Sequence, residues 1–318
     1  MSGTRNDMDV YKLHQSDIGF QTISKEEFEA GTHKNPPWYP ETESGSPQEQ
    51  SPYAVCPGCD NPIQIIGLYK LPKGVTRPYA RHANHSVPGL ADLDVERRAC
   101  CCPYYQPRPH HPASRRARLD GVARKILTTL IEQFDRVVYL LEKDTGVRFS
   151  RQHLRKMLTT YRYWQGYLYT GATLTNVPWI FAYMSNAQSL FNQRVDADSD
   201  LGKAILAGVP DANIDARGHI VNRVHADGHT RFFQLSVCFI HHTQAMDADQ
   251  GLIETMKMRV FSDTGLGLEK APVLFEKVIA FDPAYFQNLI GLPADRAKRR
   301  PDLVAVARDV LGDLCDEA

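Results

Sequence analysis

The sequence lacks the features of a membrane protein or an exported protein. None of its apolar runs approaches the roughly 18 residues that a membrane-spanning helix needs. The first residues, 1–7, contain no apolar stretch of the kind found in a secretory signal. We therefore expect a protein of the reducing cytoplasm that has no membrane partner.

The sequence also lacks three common catalytic motifs. It contains no phosphate-binding P-loop, no glycine-rich dinucleotide fingerprint and no HExxH metalloprotease motif. These absences argue against the main classes of nucleotide-dependent enzyme and against zinc proteases of that type. The chain has 318 residues, 42% hydrophobic and 23% charged. This is the composition of an ordinary globular protein with about two domains.

Net charge is absent as well, because 37 basic residues balance 37 acidic residues. The charges are unevenly distributed along the chain. Residues 104–163 hold 13 basic and 5 acidic residues, whereas residues 1–55 and 164–318 each have an acidic excess of five. The basic excess favours a polyanionic partner for the middle of the chain. The acidic flanks would limit indiscriminate binding by that segment.

Cysteine is present in a pattern that indicates metal binding. Five of the seven cysteines fall within 47 residues. An odd number of clustered cysteines without an export signal argues against a disulfide framework. The stretch Cys56-Pro57-Gly58-Cys59 has the spacing of a zinc knuckle and precedes a candidate strand, as in a zinc ribbon.

A tetrahedral metal site needs two further ligands. His82 and His85 lie downstream, followed by the run Cys100-Cys101-Cys102. We predict the ligands Cys56, Cys59, His82 and Cys102, with His85 and Cys101 in reserve, because Pro103 would fix the direction of Cys102. Four protein ligands close the coordination shell, which predicts a structural Zn²⁺ rather than a hydrolytic one. Metal-free buried thiols and a redox-active CxxC pair remain alternatives.

Residues 53–130 resemble the N-terminal zinc-binding region of competence protein CoiA-like proteins. The shared features are the CxxC motif, two histidines three residues apart after Arg81, a later cysteine and a serine-led basic segment. The family's His-Phe-Ala-His motif is His82-Ala83-Asn84-His85 here, and its Glu-Ser pair is Ala113-Ser114. Four short stretches are also similar to bacterial proteins of mobile-element regions: 61–64, 66–69, 88–91 and 102–104. The resemblance implies a bacterial zinc-binding module.

The basic segment has the apolar periodicity of a pair of helices. Apolar residues recur three or four positions apart at Leu119, Val122, Ile126, Leu130, Phe134, Val137 and Leu141. This spacing predicts a helix that begins after Ser114 and ends at Gly146. A second helix is predicted to begin after Ser150 and to run through Tyr161.

Basic and aromatic side chains on this helix pair indicate nucleic-acid binding. The predicted contacts are Arg115, Arg116, Arg118, Arg124, Lys125, Arg151, Arg155 and Lys156. Arginine and lysine contact phosphates, and the interleaved Tyr161, Tyr163 and Trp164 offer stacking surfaces. We expect DNA in preference to RNA. A solvated helix face and a protein partner remain alternatives.

The sequence after Gly171 predicts an α+β region. Candidate strands span 219–224, 231–241, 255–261 and 273–281, with a hairpin turn at Ala226-Asp227-Gly228 between the first two. Helices are predicted at 201–206, 284–290 and 302–314. The CoiA-like resemblance implies a nuclease here, with Pro-Asp followed by an acid and a lysine. Pro210-Asp211 is present, but Gln234-Leu235-Ser236 occupies the place of the acid and the lysine.

These patterns together predict an α+β protein of four segments. They are an acidic N-terminal segment with a proline-rich linker (1–52), a zinc-ribbon-like module (53–112), a basic helix pair (113–170) and a β-rich C-terminal domain with closing helices (171–318). The leading functional prediction is a zinc-stabilised nucleic-acid-binding protein of a bacterial mobile-element or phage-related system. A diverged metal-dependent nuclease and a protein-interaction module with structural zinc are the alternatives.

Overall fold

The fold is α+β, as the sequence predicts. The computed structural model describes residues 8–40, 51–119, 121–246, 251–262, 271–293 and 295–316. The N-terminal part consists of β1 (Val10–Tyr11), β2 (Gln21–Thr22), α1 (Lys25–Thr32), β3 (Tyr53–Val55), β4 (Pro62–Ile66), β5 (Tyr79–His82) and α2 (Val95–Cys101). Ser24 begins α1 by accepting a hydrogen bond from the amide of Glu27, as the capping-box spacing indicates.

An antiparallel sheet in the order β3-β4-β5 forms the centre of the N-terminal part. Ile63 and Ile65 on β4 are fully buried, as the alternation of a half-buried strand requires. Residues before the sheet extend it, because Met8 forms a β-bridge with Ala80 and Lys12 forms one with Val55. A single apolar core from Met8 to Tyr104 therefore joins residues 8–40 to the sheet.

The middle of the chain is a layer of helices. It consists of α3 (Gly121–Glu132), α4 (Phe134–Thr145), β6 (Val147–Arg148), α5 (Arg151–Tyr163), a 3-10 turn (Gly166–Leu168) and α6 (Val177–Tyr183). Gly146 ends α4 in the left-handed conformation, with φ of 73°, which glycine adopts without a Cβ penalty. Ser150 begins α5 by accepting a hydrogen bond from the amide of His153. The predicted boundaries at these two residues are confirmed.

The prediction of one continuous helix from Ser114 to Gly146 is wrong in two places. The backbone of residues 114–116 pairs with residues 168–170 instead, because the Arg116 amide donates to the Leu168 carbonyl at 2.7 Å. Arg115, Arg116 and Arg118 consequently lie before the first helical residue of α3. The helix is also interrupted at Gln133, although the residues on both sides of the break are buried in one core. Apolar periodicity indicates which face of a helix is buried, but it does not show whether the helical backbone is continuous.

The C-terminal part is rich in short strands and contains one long sheet. Its elements are β7 (Gln188–Ser189), β8 (Arg194–Val195), α7 (Asp200–Gly208), β9 (Ala212–Ile214), β10 (Ile220–Asn222), β11 (Ser236–Met246), β12 (Leu252–Phe261), β13 (Val273–Ala280), α8 (Pro283–Gly291), α9 (Pro301–Leu311) and α10 (Asp313–Asp316). The main sheet has the antiparallel order β13-β12-β11-β7. The predicted strands in this part and the closing helices are present, although several boundaries differ.

The predicted hairpin at Ala226-Asp227-Gly228 is only half correct. The turn is present, since the His225 amide donates to the His229 carbonyl at 2.9 Å and Gly228 has φ of 79°. The strands on either side belong to different sheets, because β10 pairs with β9 whereas β11 pairs with β12 and β7. A turn motif specifies local geometry, and pairing partners depend on the rest of the fold.

A second, larger core joins the helical layer to the C-terminal sheet. It runs from Val122 to Leu311 and includes residues of α3, α4, α5 and α6 together with β11, β12 and α9. The boundaries of the four predicted segments stay a prediction. None of the described helices has the length and apolar character needed to cross a membrane.

Candidate metal centre

Four separate elements bring the predicted metal ligands together. Cys56 follows β3, Cys59 lies in the turn before β4, His82 is the last residue of β5, and Cys102 directly follows α2. The CxxC turn is closed by backbone hydrogen bonds from Cys56 to Asn61, at 2.8 Å, and from Asp60 to Cys56, at 3.0 Å.

Glycine inside the CxxC turn accommodates the close approach of the third cysteine. A Cβ at Gly58 would lie 3.2 Å from the Tyr104 ring and 3.3 Å from the Cys102 Sγ atom. The small residue therefore leaves room for the segment after α2 to reach the turn. This close approach allows Cys102, 46 residues away from Cys56 in sequence, to join the cluster.

The four ligand atoms have the spacing of a tetrahedral metal site. All of them lie within 4.8 Å of one another. The Sγ atoms of Cys56 and Cys102 are 3.6 Å apart, and His82 Nε2 lies 3.4 Å from Cys59 Sγ and 3.5 Å from Cys102 Sγ. A tetrahedral zinc ion with its usual bond lengths gives ligand separations of about 3.5–3.8 Å. These three separations are close to those that a tetrahedral ion such as Zn²⁺ requires.

The three thiols are buried, and this environment affects their ionisation. Burial raises the pKa of Cys56 and of Cys102 well above the usual range. Burial also opposes ionisation of Cys59, but hydrogen bonds from Cys102, Cys56 and His82 hold the pKa of that thiol well below its usual range. Burial without a counter-charge thus opposes ionisation at all three thiols. A divalent cation would supply the positive charge that three buried thiolates require.

Asn61 forms hydrogen bonds that hold the Cys59 turn in place. The sequence alone did not indicate Asn61 as a site residue. It is fully buried, and its amide nitrogen donates to the Cys59 Sγ atom at 3.3 Å. Its amide oxygen accepts a hydrogen bond from the Asp94 backbone at 2.7 Å, immediately before α2. A single side chain thus links the CxxC turn to the start of the helix that precedes Cys102. Such supporting hydrogen bonds orient metal ligands.

The reserve ligands do not join the cluster. His85 is exposed and packs edge-on against the Tyr53 ring, with centroids 5.6 Å apart. Cys100 and Cys101 are joined to each other by a disulfide. The reserve thiol Cys101 is therefore not one of the clustered ligands. The geometry selects His82 and Cys102 from the candidates that the sequence offers.

Asp60, the residue after the CxxC motif, is the centre of a buried ion cluster. Its carboxylate accepts hydrogen bonds from Lys12 and from Lys125, the latter at 2.7 Å. Asp60 is 3% exposed and Lys12 is 1% exposed. Burial lowers the pKa of Lys12 to about 8, against the opposing effect of the Asp60 charge. The cluster links both the N-terminal segment and α3 to the CxxC turn.

Five of the eight basic residues predicted to bind nucleic acid have partners within the protein. Arg115 donates to the carbonyls of Trp164 and Pro112, and Arg116 donates to those of Tyr169 and Ala172. Arg124 donates to the carbonyls of Leu119 and Cys315, Lys125 contacts Asp60, and Arg155 pairs with Asp309. These side chains stabilise contacts between segments, a role that residue type and spacing alone did not indicate.

Arg118, Arg151 and Lys156 are the remaining predicted contacts, and all three are exposed. Within the described part of the chain, none of them forms an ion pair with an acidic side chain. Their charges are therefore available to a partner. Arg118 follows the irregular segment 114–117, and the other two lie on α5.

The structure offers no second metal cluster in the ranges that it describes. There the Cys56, Cys59, His82 and Cys102 group is the one set of three or more Cys, His, Asp or Glu side chains close enough to share an ion. Asp211, the acid of the nuclease-like motif, instead lies 2.9 Å from His225 Nε2. Comparison with protein-family models, curated proteins and solved structures gives no match to this chain.

Proposed function

We propose that Cys56, Cys59, His82 and Cys102 bind a structural Zn²⁺. The observation that carries this proposal is the group of three buried cysteine sulfur atoms and one nitrogen of the half-buried His82, all within 4.8 Å of one another. Thiolate and imidazole donors in this number are typical of structural zinc, because four protein ligands leave no position for water or substrate. The zinc would hold together the turn after β3, the end of β5 and the segment after α2.

Elemental analysis tests the zinc proposal. We expect about one zinc per chain in protein purified without chelator and less than about a tenth of that in Cys59→Ser, because loss of one thiolate opens the shell. Cys238→Ser is the matched control, since Cys238 is half-buried on β11. Wild-type protein with less than half a zinc per chain, or equal losses in both variants, would contradict the proposal.

We propose further that the zinc-stabilised protein binds nucleic acid. The supporting surface consists of Arg118, Lys156, Tyr163 and Trp164. Tyr163 is 77% exposed and Trp164 is 45% exposed at the end of α5. The Arg115 guanidinium contacts the Trp164 carbonyl at 2.7 Å, so the basic segment 115–118 adjoins this aromatic pair. Exposed aromatic rings beside cations are the elements of a single-strand binding surface.

Salt-dependent binding tests the nucleic-acid proposal. The affinity for a fluorescent single-stranded oligonucleotide, measured by anisotropy, should fall steeply as the salt concentration rises. A DNA oligonucleotide should bind more tightly than an RNA oligonucleotide of the same sequence. In Arg118→Gln/Lys156→Gln the slope of log K against log salt should decrease by roughly 0.7 per lost phosphate contact. An unchanged slope would contradict the assignment of these two residues.

The aromatic pair has its own matched control. In Tyr163→Ser/Trp164→Ser the affinity should fall about tenfold or more, because each base that loses a stacking partner loses about 1–3 kcal/mol. Phe232→Ser is the control, since Phe232 is 81% exposed in another part of the chain. Equal affinities of the two variants would contradict a stacking role and would favour a protein-interaction surface.

A further inference from the structure

A basic cavity lies between the helical layer and the C-terminal part, separate from the metal centre. It has a volume of about 550 Å³. The end of α4, strands β6 and β8, the first residues of α5 and the residue before α9 all contribute to its walls. This size is within the range of small-molecule sites in proteins.

The cavity has a strong excess of positive charge. Its lining includes Lys143, Arg148, Arg151, Arg194 and Arg300, and Glu142 is the one acidic side chain among the lining residues. The Lys143 ammonium lies over the Tyr285 ring, 3.9 Å from the centroid. The four arginines, of which Arg300 also lies at ion-pair distance from Glu142, are the groups that would face an anion inside the cavity. Guanidinium groups in this number match the oxygens of a phosphate or carboxylate ligand.

Two of the arginines face each other across a strand pair. Arg148 on β6 is directly opposite Arg194 on β8 in the antiparallel register. Like charges at directly opposed positions destabilise a strand pair. Among the described residues, neither arginine has an acidic side chain within ion-pair distance. Glu142 is the one acidic lining residue of this cavity and acts on both arginines, so the repulsion is only partly compensated, whereas a bound anion would compensate it further.

The arginines also converge on one region of the cavity. Burial raises the pKa of Glu142, and Arg300, Arg148 and Arg194 are the charged groups that act in the opposite direction on this carboxyl. Arg300 lies 4.0 Å from the Glu142 carboxylate. Three guanidinium groups from distant parts of the chain are thus near enough to influence a single carboxyl group of the cavity wall.

The backbone around the arginines is firmly held. The Ser150 amide donates to the Gln193 side chain at 2.8 Å, which ties the start of α5 to the segment before β8. Arg194 Nε donates to the Arg217 carbonyl at 2.9 Å, so the guanidinium is oriented. The positive end of the 13-residue helix α5 adds to the charge of the cavity. A preformed site of this kind binds a ligand with little loss of entropy.

We propose that this cavity is a binding site for a phosphate monoester or pyrophosphate group, held by Arg148, Arg151, Arg194 and Arg300. The proposal does not depend on the zinc site or on the aromatic surface of α5. The ligand could be a free phosphorylated molecule or the terminal phosphate of a nucleic acid, and the two sources share the same recognition chemistry.

Calorimetric titration of the full-length chain with pyrophosphate tests this site. We expect saturable binding at constant ionic strength, weakened tenfold or more in Arg148→Gln/Arg194→Gln. Arg231→Gln is the control, because Arg231 is exposed, pairs with Asp227 and does not line the cavity. Absence of binding to the wild type, or equal affinity of the double variant and the wild type, would overturn the proposal.

Thermal melting separates loss of the site from loss of folding. Without ligand, Arg148→Gln/Arg194→Gln should melt at or above the temperature of the wild type, because the like-charge repulsion is removed. With pyrophosphate, the wild type should gain stability and the variant should not. A variant that melts below the wild type without ligand would contradict the repulsion argument.

Arg151→Gln, altered in the first turn of α5, should lose part of the affinity for pyrophosphate. Unchanged affinity would show that Arg151 does not belong to the site.

Competition against pyrophosphate distinguishes the two ligand sources. Competition by an oligonucleotide with a 5′-phosphate, but not by its dephosphorylated form, would support a terminal phosphate as ligand. Competition by neither would support a free phosphorylated molecule. Equal competition by both would overturn the monoester assignment, because internal phosphodiesters would then suffice.

Discussion

At the scale of single residues, the CxxC motif and its predicted partners indicated which side chains lie together, but not what surrounds them. Cys56, Cys59, His82 and Cys102 were selected from ligand type, spacing and the rigid proline after Cys102, and the structure brings their ligand atoms together. Asp60 was not selected. Its two lysine partners lie 48 and 65 positions away in sequence, a separation that no local pattern reports. Lys125 was accordingly assigned to nucleic acid although it contacts Asp60.

The buried Asp60 cluster leads to a prediction for a single substitution. Asp60→Asn should destabilise the zinc-loaded protein by about 3–5 kcal/mol, because the buried Lys12 ammonium loses its counter-charge. Backbone strain does not contribute to this predicted loss of stability. Asp60 has φ of 60°, and asparagine tolerates that conformation as well as aspartate does. Equilibrium unfolding in urea measures the loss.

A surface ion pair supplies the control for Asp60→Asn. Asp309→Asn removes the partner of Arg155, and both of those side chains are about half exposed. Exposed pairs contribute only about 0–1 kcal/mol, so this variant should remain close to the wild type. A loss in Asp60→Asn no larger than that in Asp309→Asn would show that the buried cluster contributes little.

At the scale of helices and strands, local signals were reliable where the chain itself forms the contact. The caps at Ser24 and Ser150 and the left-handed end at Gly146 depend on atoms a few residues apart, and all three are present. The helix predicted from Ser114 fails because its first residues pair with the segment 168–170. The strands beside the 226–228 turn fail to pair with each other for the same reason. Pairing with residues that are distant in sequence overrides the local preference for a helix or hairpin. The local sequence pattern does not indicate which distant residues will pair.

The same competition changed the interpretation of the basic helix pair. Arg115 and Arg116 were predicted to lie at a helix N-terminus, where the helix dipole disfavours cations. Their guanidinium groups instead bind the carbonyls of Trp164, Tyr169 and Ala172, which holds the irregular segment against the 3-10 turn. The basic charge of this stretch therefore serves partly to join elements. The exposed Arg118, Arg151 and Lys156 are the part left for a partner.

At the scale of the whole molecule, zero net charge conceals two different uses of positive charge. Some cations are neutralised inside the protein, as at Asp60, whereas the arginines around the cavity beside α5 lack acidic counterparts among the described residues apart from Glu142. The two larger of the three apolar cores among the described residues lie around the candidate metal centre and beneath the main sheet. The Asp60–Lys125 contact joins the two parts.

This arrangement predicts that metal loss affects the two parts unequally. The smaller core contains Cys56, Cys59 and Cys102 among its buried residues, so opening the metal site removes its centre. The larger core contains none of the ligands. Small metal-binding modules lose their fold when the metal is removed, because ligand binding supplies much of their stability.

Hydrogen exchange before and after zinc chelation tests the central claim most directly. We predict that the amides of β4 and β5, including those of Ile65 and Ala80, lose protection by about tenfold or more when the metal is removed. The amides of β11, β12 and α4 should keep their protection, since they belong to the core without ligands. Unchanged exchange in β4 and β5 after verified removal of zinc would contradict a structural role for the Cys56, Cys59, His82 and Cys102 centre.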